Sequence, residues 1–263
     1  MIYSKGINLS FITRLLTAVL EEISMIFSMD SKFLDSPLNF EGIEQALELR
    51  RFLQSGVHPE SKSGQSKRNL FDVMRGEAGT SVIVTSTLRR AIATTTLAFW
   101  PRLEKTGEKV FVLSSLQEIS RNIDTRALSR AKEIADLPFS RIAPHCIPAA
   151  GGSFNPDSVF DLSENFGNKT RSFNGGKRLK SFNEWIFQRD ESVIIAGGHS
   201  LWFKNFFQTY LPHHIGHDAK AKKITNSGAV SFTIYRGEDA DGCARYRIDP
   251  DSIEVLYGGF TTK

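Results

Sequence analysis

Residues 192–212 read SVIIAGGHSLWFKNFFQTYLP. Val193, Ile194 and Ile195 form a short β-branched run, and Gly197 and Gly198 follow it. His199 comes next, then Leu201, Trp202, Phe203, Phe206 and Phe207 at helical spacing. The pattern predicts a buried strand, a glycine turn, a histidine at the strand end and a helix. A parallel strand ending this way delivers the next side chain to the carboxyl edge of the sheet, where open α/β sheets bind ligands. The imidazole would also stand near a helix N-terminus, whose N–H groups favour an anion such as phosphate. A capping or packed histidine fits the same spacing.

The design recurs upstream. Ser81 to Ser86, SVIVTS, reads as a buried strand that runs into Thr87-Leu88-Arg89-Arg90-Ala91. A helix is predicted from there through Phe99, stopped by Pro101. Val110 to Leu113 is a third strand, and Leu116-Gln117-Glu118-Ile119 places a carboxylate just past its end. Arg90, Glu118 and His199 thus each follow a strand, and they converge if the three strands are neighbours. An arginine clamps phosphate oxygens bidentately and keeps its charge at working pH. A carboxyl group can give a proton to a leaving alcohol. A histidine cation stabilises charge spread over phosphoryl oxygens. Together these groups describe phosphoryl transfer. Taken singly, Arg89 and Arg90 also read as a charged helix start, and Glu118 as a surface acid.

Around this frame, Asp35-Ser36-Pro37-Leu38-Asn39 is a turn, with Asn39 capping a helix that runs to about Ser55. Residues 56–80 form a polar loop whose Lys62, Lys67 and Arg68 are a solvated charge run. Residues 126–135 are predicted helical. Residues 137–176 are irregular, with Pro138, Pro144, Pro148 and Pro156, and such a long segment often walls a pocket. Arg141, His145 and Arg171 within it are weak candidates for substrate contact. A helix is expected over 177–189 and a strand over 228–235. Residues 246–248 and 253–256 are expected to form a hairpin at the sheet edge. His213, His214 and His217 lie close together, without the Cys/His spacing or carboxylates of a metal site.

The chain has 263 residues, 40% hydrophobic and 24% charged. That suits one α/β domain spanning 1–263 rather than a disordered chain. The net charge of +4 permits an anionic small-molecule substrate and does not argue for nucleic acid. The aromatics fall on predicted buried helical faces, which also argues against a nucleic-acid module. Cys146 and Cys243 give no disulfide framework and no thiolate metal cluster. They fit a reducing, cytoplasmic setting. Residues 1–34 hold an amphipathic helix at 9–28, with Phe11, Leu15, Val19, Ile23 and Ile26 at helical spacing. Arg14, Glu21 and Glu22 make it a poor membrane span, and packing on the domain is expected.

Five segments carry a resemblance: DSPLNFEGIEQA at 35–46, VTSTLRRAIATT at 84–95, LQEISRNID at 116–124, IIAGGHS at 194–200 and KKITNSGAVSF at 222–232. In this order they resemble the histidine phosphatase superfamily, also called phosphoglycerate mutase-like, over about residues 35 to 235. The resemblance implies a three-layer α/β/α sandwich with a mostly parallel sheet and no metal or other cofactor. It makes Arg90 a phosphate ligand, Glu118 the proton donor and His199 the second active-site histidine, with Ser86 supporting Arg90 in the phosphate site. It implies a phosphomonoester hydrolase whose partner is a phosphorylated small molecule or phosphoprotein. One departure matters. The family's Arg-His-Gly motif, whose histidine takes the phosphoryl group at the end of the first strand, does not occur here, and no histidine precedes His58. Ser4-Lys5-Gly6 is either its degenerate counterpart or the start of a chain that has lost the motif. The expectation is therefore a family member without its nucleophile and with the first strand missing: a truncated product, or a pseudoenzyme that binds phosphorylated ligands through Arg90 and His199.

Overall fold

A computed structural model describes residues 34–55, 70–135, 139–147, 151, 153–169 and 174–262, together with residues 13 and 17. The expected helix over 9–28, the cluster Lys62, Lys67 and Arg68, and Arg171 lie outside the described residues.

Four parallel strands form the central sheet: β1 (Ser81–Ser86), β2 (Val110–Leu113), β3 (Phe160–Asp161) and β4 (Val193–Gly197). Their spatial order is β3-β2-β1-β4, and every pairing is parallel. Side chains alternate strictly between two cores, as the two-residue strand period requires. Ile83, Val110, Val112 and Ile195 face one core, built with α1 (Phe40–Gln54) and α2 (Arg89–Thr106). Val82, Val84, Leu113 and Ile194 face the other, built with α3 (Gly175–Ile186) and α4 (Ser200–Tyr210). The result is a three-layer α/β/α sandwich. β1 buries five of its six residues, and a strand buried on both faces needs an apolar run rather than alternation, which makes SVIVTS legible; β4 carries the same kind of run, yet all five of its residues stay partly exposed, unlike the buried strand expected there.

The helices follow from local sequence. Asn39 Oδ1 accepts from the Gly42 N–H at 2.8 Å, capping α1. Ile43, Ala46, Leu49 and Leu53 then bury one stripe. α2 departs from expectation: it continues through Pro101 to Thr106 and stops at Gly107, which adopts a left-handed φ of 67°. An interior proline costs about 3 kcal/mol. Twelve of the eighteen α2 residues are buried, so packing outweighs that local cost. Residues 126–135 are not helical either. Their backbone is held from afar: Leu128 N–H donates to Asp35 Oδ2 at 3.0 Å, Ala127 N–H to Asn168 Oδ1 at 3.1 Å, and Lys132 N–H to the Asn165 carbonyl at 2.8 Å. Such long-range partners replace the helical ladder.

The segment expected to be irregular at 137–176 contributes β3, which extends the sheet beside β2. The C-terminal strands also differ from expectation. β5 (Lys223–Ile224) pairs with β10 (Phe260–Thr261). The predicted strand at 228–235 divides into β6 (Ala229–Ser231) and β7 (Ile234–Glu238). β6 pairs antiparallel with β9 (Glu254–Tyr257), and β7 with β8 (Ala244–Ile248), so the expected hairpin between the last two segments does not form. The break falls at Thr233, whose N–H donates to Ser252 Oγ at 2.8 Å and whose carbonyl accepts from Asp249 N–H at 2.9 Å.

Gly197 is the last residue of β4, not part of a turn. A Cβ there would lie 1.9 Å from Thr95 Oγ1 on α2, whose hydroxyl is 3.1 Å from that of Thr85. Close helix–strand approach, rather than backbone freedom, explains this glycine. Gly197→Ala is expected to destabilise the fold by about 1–3 kcal/mol through overpacking. A lowered urea midpoint with an unchanged slope would show it; an unchanged midpoint would refute the close-packing account.

Candidate functional site

Residues that follow β1, β2 and β4 open on one cleft of about 1580 Å³, which β4 itself also lines. Arg90, Glu118 and His199 all line it, joined by Asp124 and Ser200. Strand order explains the convergence: β2, β1 and β4 are adjacent, and each of the three residues follows one of them by a few positions.

His199 is the N-cap residue of α4 and is buried, with 6% exposure. Its Nε2 lies 2.8 Å from Ser86 Oγ at the end of β1. Ser86 itself is fully buried, and its Oγ also accepts from the Leu88 N–H at 3.3 Å. Ser86 therefore holds the imidazole; its hydroxyl bonds reach His199 and the Leu88 N–H. Burial pushes the His199 pKa well below 6.5, and Arg90, Lys169 and Arg178 push it the same way. The ring is thus neutral at pH 7 until an anion joins it.

The consecutive arginines diverge. Arg89 is buried and anchored on the segment before α1: its Nε donates to the Asp35 carbonyl at 2.7 Å and its backbone N–H to Asp35 Oδ1 at 2.9 Å. Arg90 turns to the cleft, with its Nη1 on the Asp124 carbonyl at 2.9 Å and 3.7 Å from Asp124 Oδ2. About 100° of helical rotation separates neighbouring residues, which is how one arginine serves the core and the next the cleft.

Glu118 sits on a strapped loop. Ser114–Leu116 makes one 3₁₀ turn after β2, and the Trp202 Nε1–H donates to the Ser115 carbonyl at 2.9 Å. Buried Gln117 donates to the Thr125 carbonyl and to Asn168 Oδ1. Lys169 Nζ donates to the carbonyls of Glu118 and Ser120 at 2.9 and 2.6 Å and to Thr125 Oγ1 at 2.8 Å. Arg178 adds a bond to the Glu118 carbonyl at 3.0 Å. Burial raises the Glu118 pKa above 4.5, although the Ile119 N–H, Arg90 and Lys169 oppose it. Burial brings Lys169 down to about 8, with Arg178 beside it acting in the same direction. The result is a protonatable carboxyl beside a fixed guanidinium and a neutral imidazole.

Sequence reading missed Lys169, Arg178 and Asp124 as parts of this site. Their signals are positional only: each reaches the loop from a segment remote in the chain or from an irregular stretch. Arg141 and His145 do not line the cleft; Arg141 stacks 5.1 Å from the exposed Phe40 ring, and the His145 carbonyl accepts from Arg50. His217 uses Nδ1 to accept from the Ala219 N–H at 3.0 Å. Among the described residues no group of three or more His, Cys, Asp or Glu side chains could hold a metal ion. No helix among them is long and apolar enough to cross a membrane.

The neutral state of His199 has a measurable consequence. A phosphate dianion next to it supplies the opposite charge that burial denies, so binding raises its pKa. NMR titration is expected to show His199 titrating below pH 6.5 in the free protein and higher with phosphate bound. The sign for stability follows from its lowered pKa: the unfolded chain takes up the proton first, so the His199 contribution is present above pH 6.5 and falls away as the pH drops below it. A His199 titration that phosphate leaves unmoved would place the anion elsewhere.

Among solved structures, the chain is similar to the native structure of a mycobacterial glucosyl-3-phosphoglycerate phosphatase. The match has 15% identity and a TM-score of 0.42, covering 87% of this chain and 91% of that chain. No family model matches the chain, and no curated protein matches it.

Proposed function

We propose that the chain is a phosphomonoester hydrolase of histidine-phosphatase type, with the phosphate at the carboxyl ends of β1, β2 and β4. The observation that carries this reading is the meeting of Arg90, Glu118 and His199 in one cleft from three separate strand ends. Arg90 clamps the phosphoryl oxygens. His199, oriented by Ser86, adds a donor and then a positive charge as the dianion arrives. Glu118, its pKa raised by burial, is placed to give a proton to the departing alcohol. The partner is a phosphorylated small molecule or a phosphoprotein.

A second reading is binding without turnover. It is favoured by one observation: among the described residues that line the cleft, His199 is the sole imidazole, and it is already engaged by Ser86. Phosphohistidine chemistry needs an imidazole nucleophile beside the phosphate ligands.

Calorimetry with orthophosphate and hydrolysis of an aryl phosphate separate these readings. The expected result is phosphate binding together with turnover that Glu118→Gln lowers by roughly 10²- to 10⁴-fold. Phosphate binding with no turnover would select the second reading. Absence of both would overturn the site.

A further inference from the structure

Glu118 and Arg90 reach the cleft from different strands, yet one short segment braces both. Residues 164–169 are anchored on Ser114, which follows β2. The Ser114 N–H donates to the Glu164 carbonyl at 3.1 Å, and its Oγ accepts from the Phe166 N–H at 2.9 Å and donates to the Gly167 carbonyl at 3.3 Å. From that anchor, Asn168 Oδ1 accepts from Gln117 and from the Ala127 N–H, and the Lys169 N–H donates to Gln117 Oε1 at 3.0 Å. The Lys169 ammonium then enters a nest of three loop oxygens, on Glu118, Ser120 and Thr125. The loop closed in this way carries Glu118 at one end and Asp124 near the other, and the Asp124 carbonyl holds Arg90 Nη1.

A lysine is a costly strap at this place. The neutral amides of Gln117 and Asn168 do the neighbouring work, and a half-buried ammonium is harder to desolvate than either. Arg178 on α3, Arg126 on the loop and Arg90 on α2 all oppose its charge, against the Glu118 carboxyl. Arg90, Lys169 and Arg178 also act together on His199. An anion among these cations offsets their mutual repulsion. Lys220 offers the contrast. Its ammonium bonds the carbonyls of Pro212, His213 and Ile215 at 3.1, 3.2 and 3.1 Å after α4, and it does not line the cleft.

We propose that Lys169 is a positioning residue of the anion site: its ammonium holds residues 118–125 as one piece, so that the Glu118 carboxyl and the Arg90 guanidinium braced by Asp124 meet a single anion in fixed register. The role deepens the phosphomonoester reading and rests on the anion site of that reading.

The test follows two quantities in the full chain: sulfate affinity by calorimetry, and amide hydrogen exchange at Thr125, Arg126 and Ala127. Sulfate is a tetrahedral dianion whose charge stays constant over the pH range used, about pH 7 to 9. Lys169→Met is expected to weaken sulfate binding roughly tenfold and to speed exchange at the three amides. Lys220→Met, which empties a similar nest, should do neither. Burial holds Lys169 at about 8. The parent should therefore lose sulfate affinity as the pH rises through that value, because binding then requires a proton to be taken up. Lys169→Arg, charged throughout, should keep a flat profile. Unchanged affinity in Lys169→Met, or equal losses in Lys169→Met and Lys220→Met, would overturn the proposal. A flat profile in the parent would also overturn it, and that measurement stands even if Lys169→Met does not fold. The two failures are distinct: sulfate binding that ignores Lys169 removes the positioning role and leaves the site, whereas a parent that binds neither sulfate nor orthophosphate removes the site and the proposal with it.

Discussion

Arg89→Met is expected to lower the stability of the fold by about 3–5 kcal/mol, because it removes a buried cation that bonds two backbone carbonyls and whose charge favours the ionised form of the buried Asp35. Arg89 is 1% exposed, and Asp35, which it faces, is fully buried. The guanidinium donates to the carbonyls of Asp35 and Leu34 at 2.7 and 3.2 Å. The Asp35 carboxylate meanwhile caps α2 through the Arg89 N–H and fixes residue 128 through the Leu128 N–H. One cluster therefore ties the segment before α1, the start of α2 and the loop after Glu118. Methionine keeps the volume of the stem and leaves the buried carboxylate without its nearest positive charge. Burial already raises the Asp35 pKa above 3.8, with Leu128, Arg89 and Arg90 opposing it. Removing Arg89 raises it further. A raised carboxyl pKa contributes stability that is full below the unfolded value and is lost as pH rises through the folded one. The deficit of the variant should therefore be smaller near pH 4 than near pH 7. Asp35→Asn added to Arg89→Met should cost less than the sum of the two single changes, since it removes the stranded charge. Urea unfolding of the four chains checks this; an Arg89→Met midpoint within 0.5 kcal/mol of the parent would show that the cluster does not hold the fold.

The Arg89–Arg90 pair also marks where sequence reading reaches its limit. SVIVTS and SVIIAG announce parallel strands by their apolar runs, although only the first is buried and β4 stays partly exposed, and the residues after them announce the edge on which a ligand can sit. What cannot be read locally is partnership across the chain. Asp35 is an N-terminal turn residue by its neighbours, yet it caps a helix that starts at residue 89. Pro101 reads as a stop, and only burial of α2 on the sheet overrides it. Lys169 and Arg178 carry no motif, and they enter the site because the Glu118 loop folds back on them. β3 has two residues, too few for any period to show, and Thr233 divides a strand through bonds to residues 249 and 252. The legible part is the local pattern; the rest is set by tertiary hydrogen bonds.

Arg90→Ala is expected to weaken orthophosphate or vanadate binding by roughly 10- to 100-fold, the loss of a hydrogen-bonding group that meets a charged partner. The fold should survive, because the Arg90 side chain is 25% exposed and meets the carbonyl and carboxylate of Asp124, a cleft residue. Its neighbours should report the change. Arg90 is one of the charges holding the His199 pKa down, so that pKa should rise in the variant. Arg90 also opposes the raised pKa of Glu118, which should climb further. Arg90→Lys should fall between parent and alanine, since it keeps the charge but not the planar fork that grips two phosphate oxygens. Calorimetry on the three chains, paired with urea unfolding, makes the contrast with the preceding residue sharp: Arg89 variants lose stability, and Arg90 variants lose anion affinity at nearly constant stability. Unchanged phosphate affinity in Arg90→Ala would remove the guanidinium from the site. The cationic end of the cleft would then rest on His199 and the N-terminus of α4, a neutral ring and a partial charge that together are a weak match for a dianion.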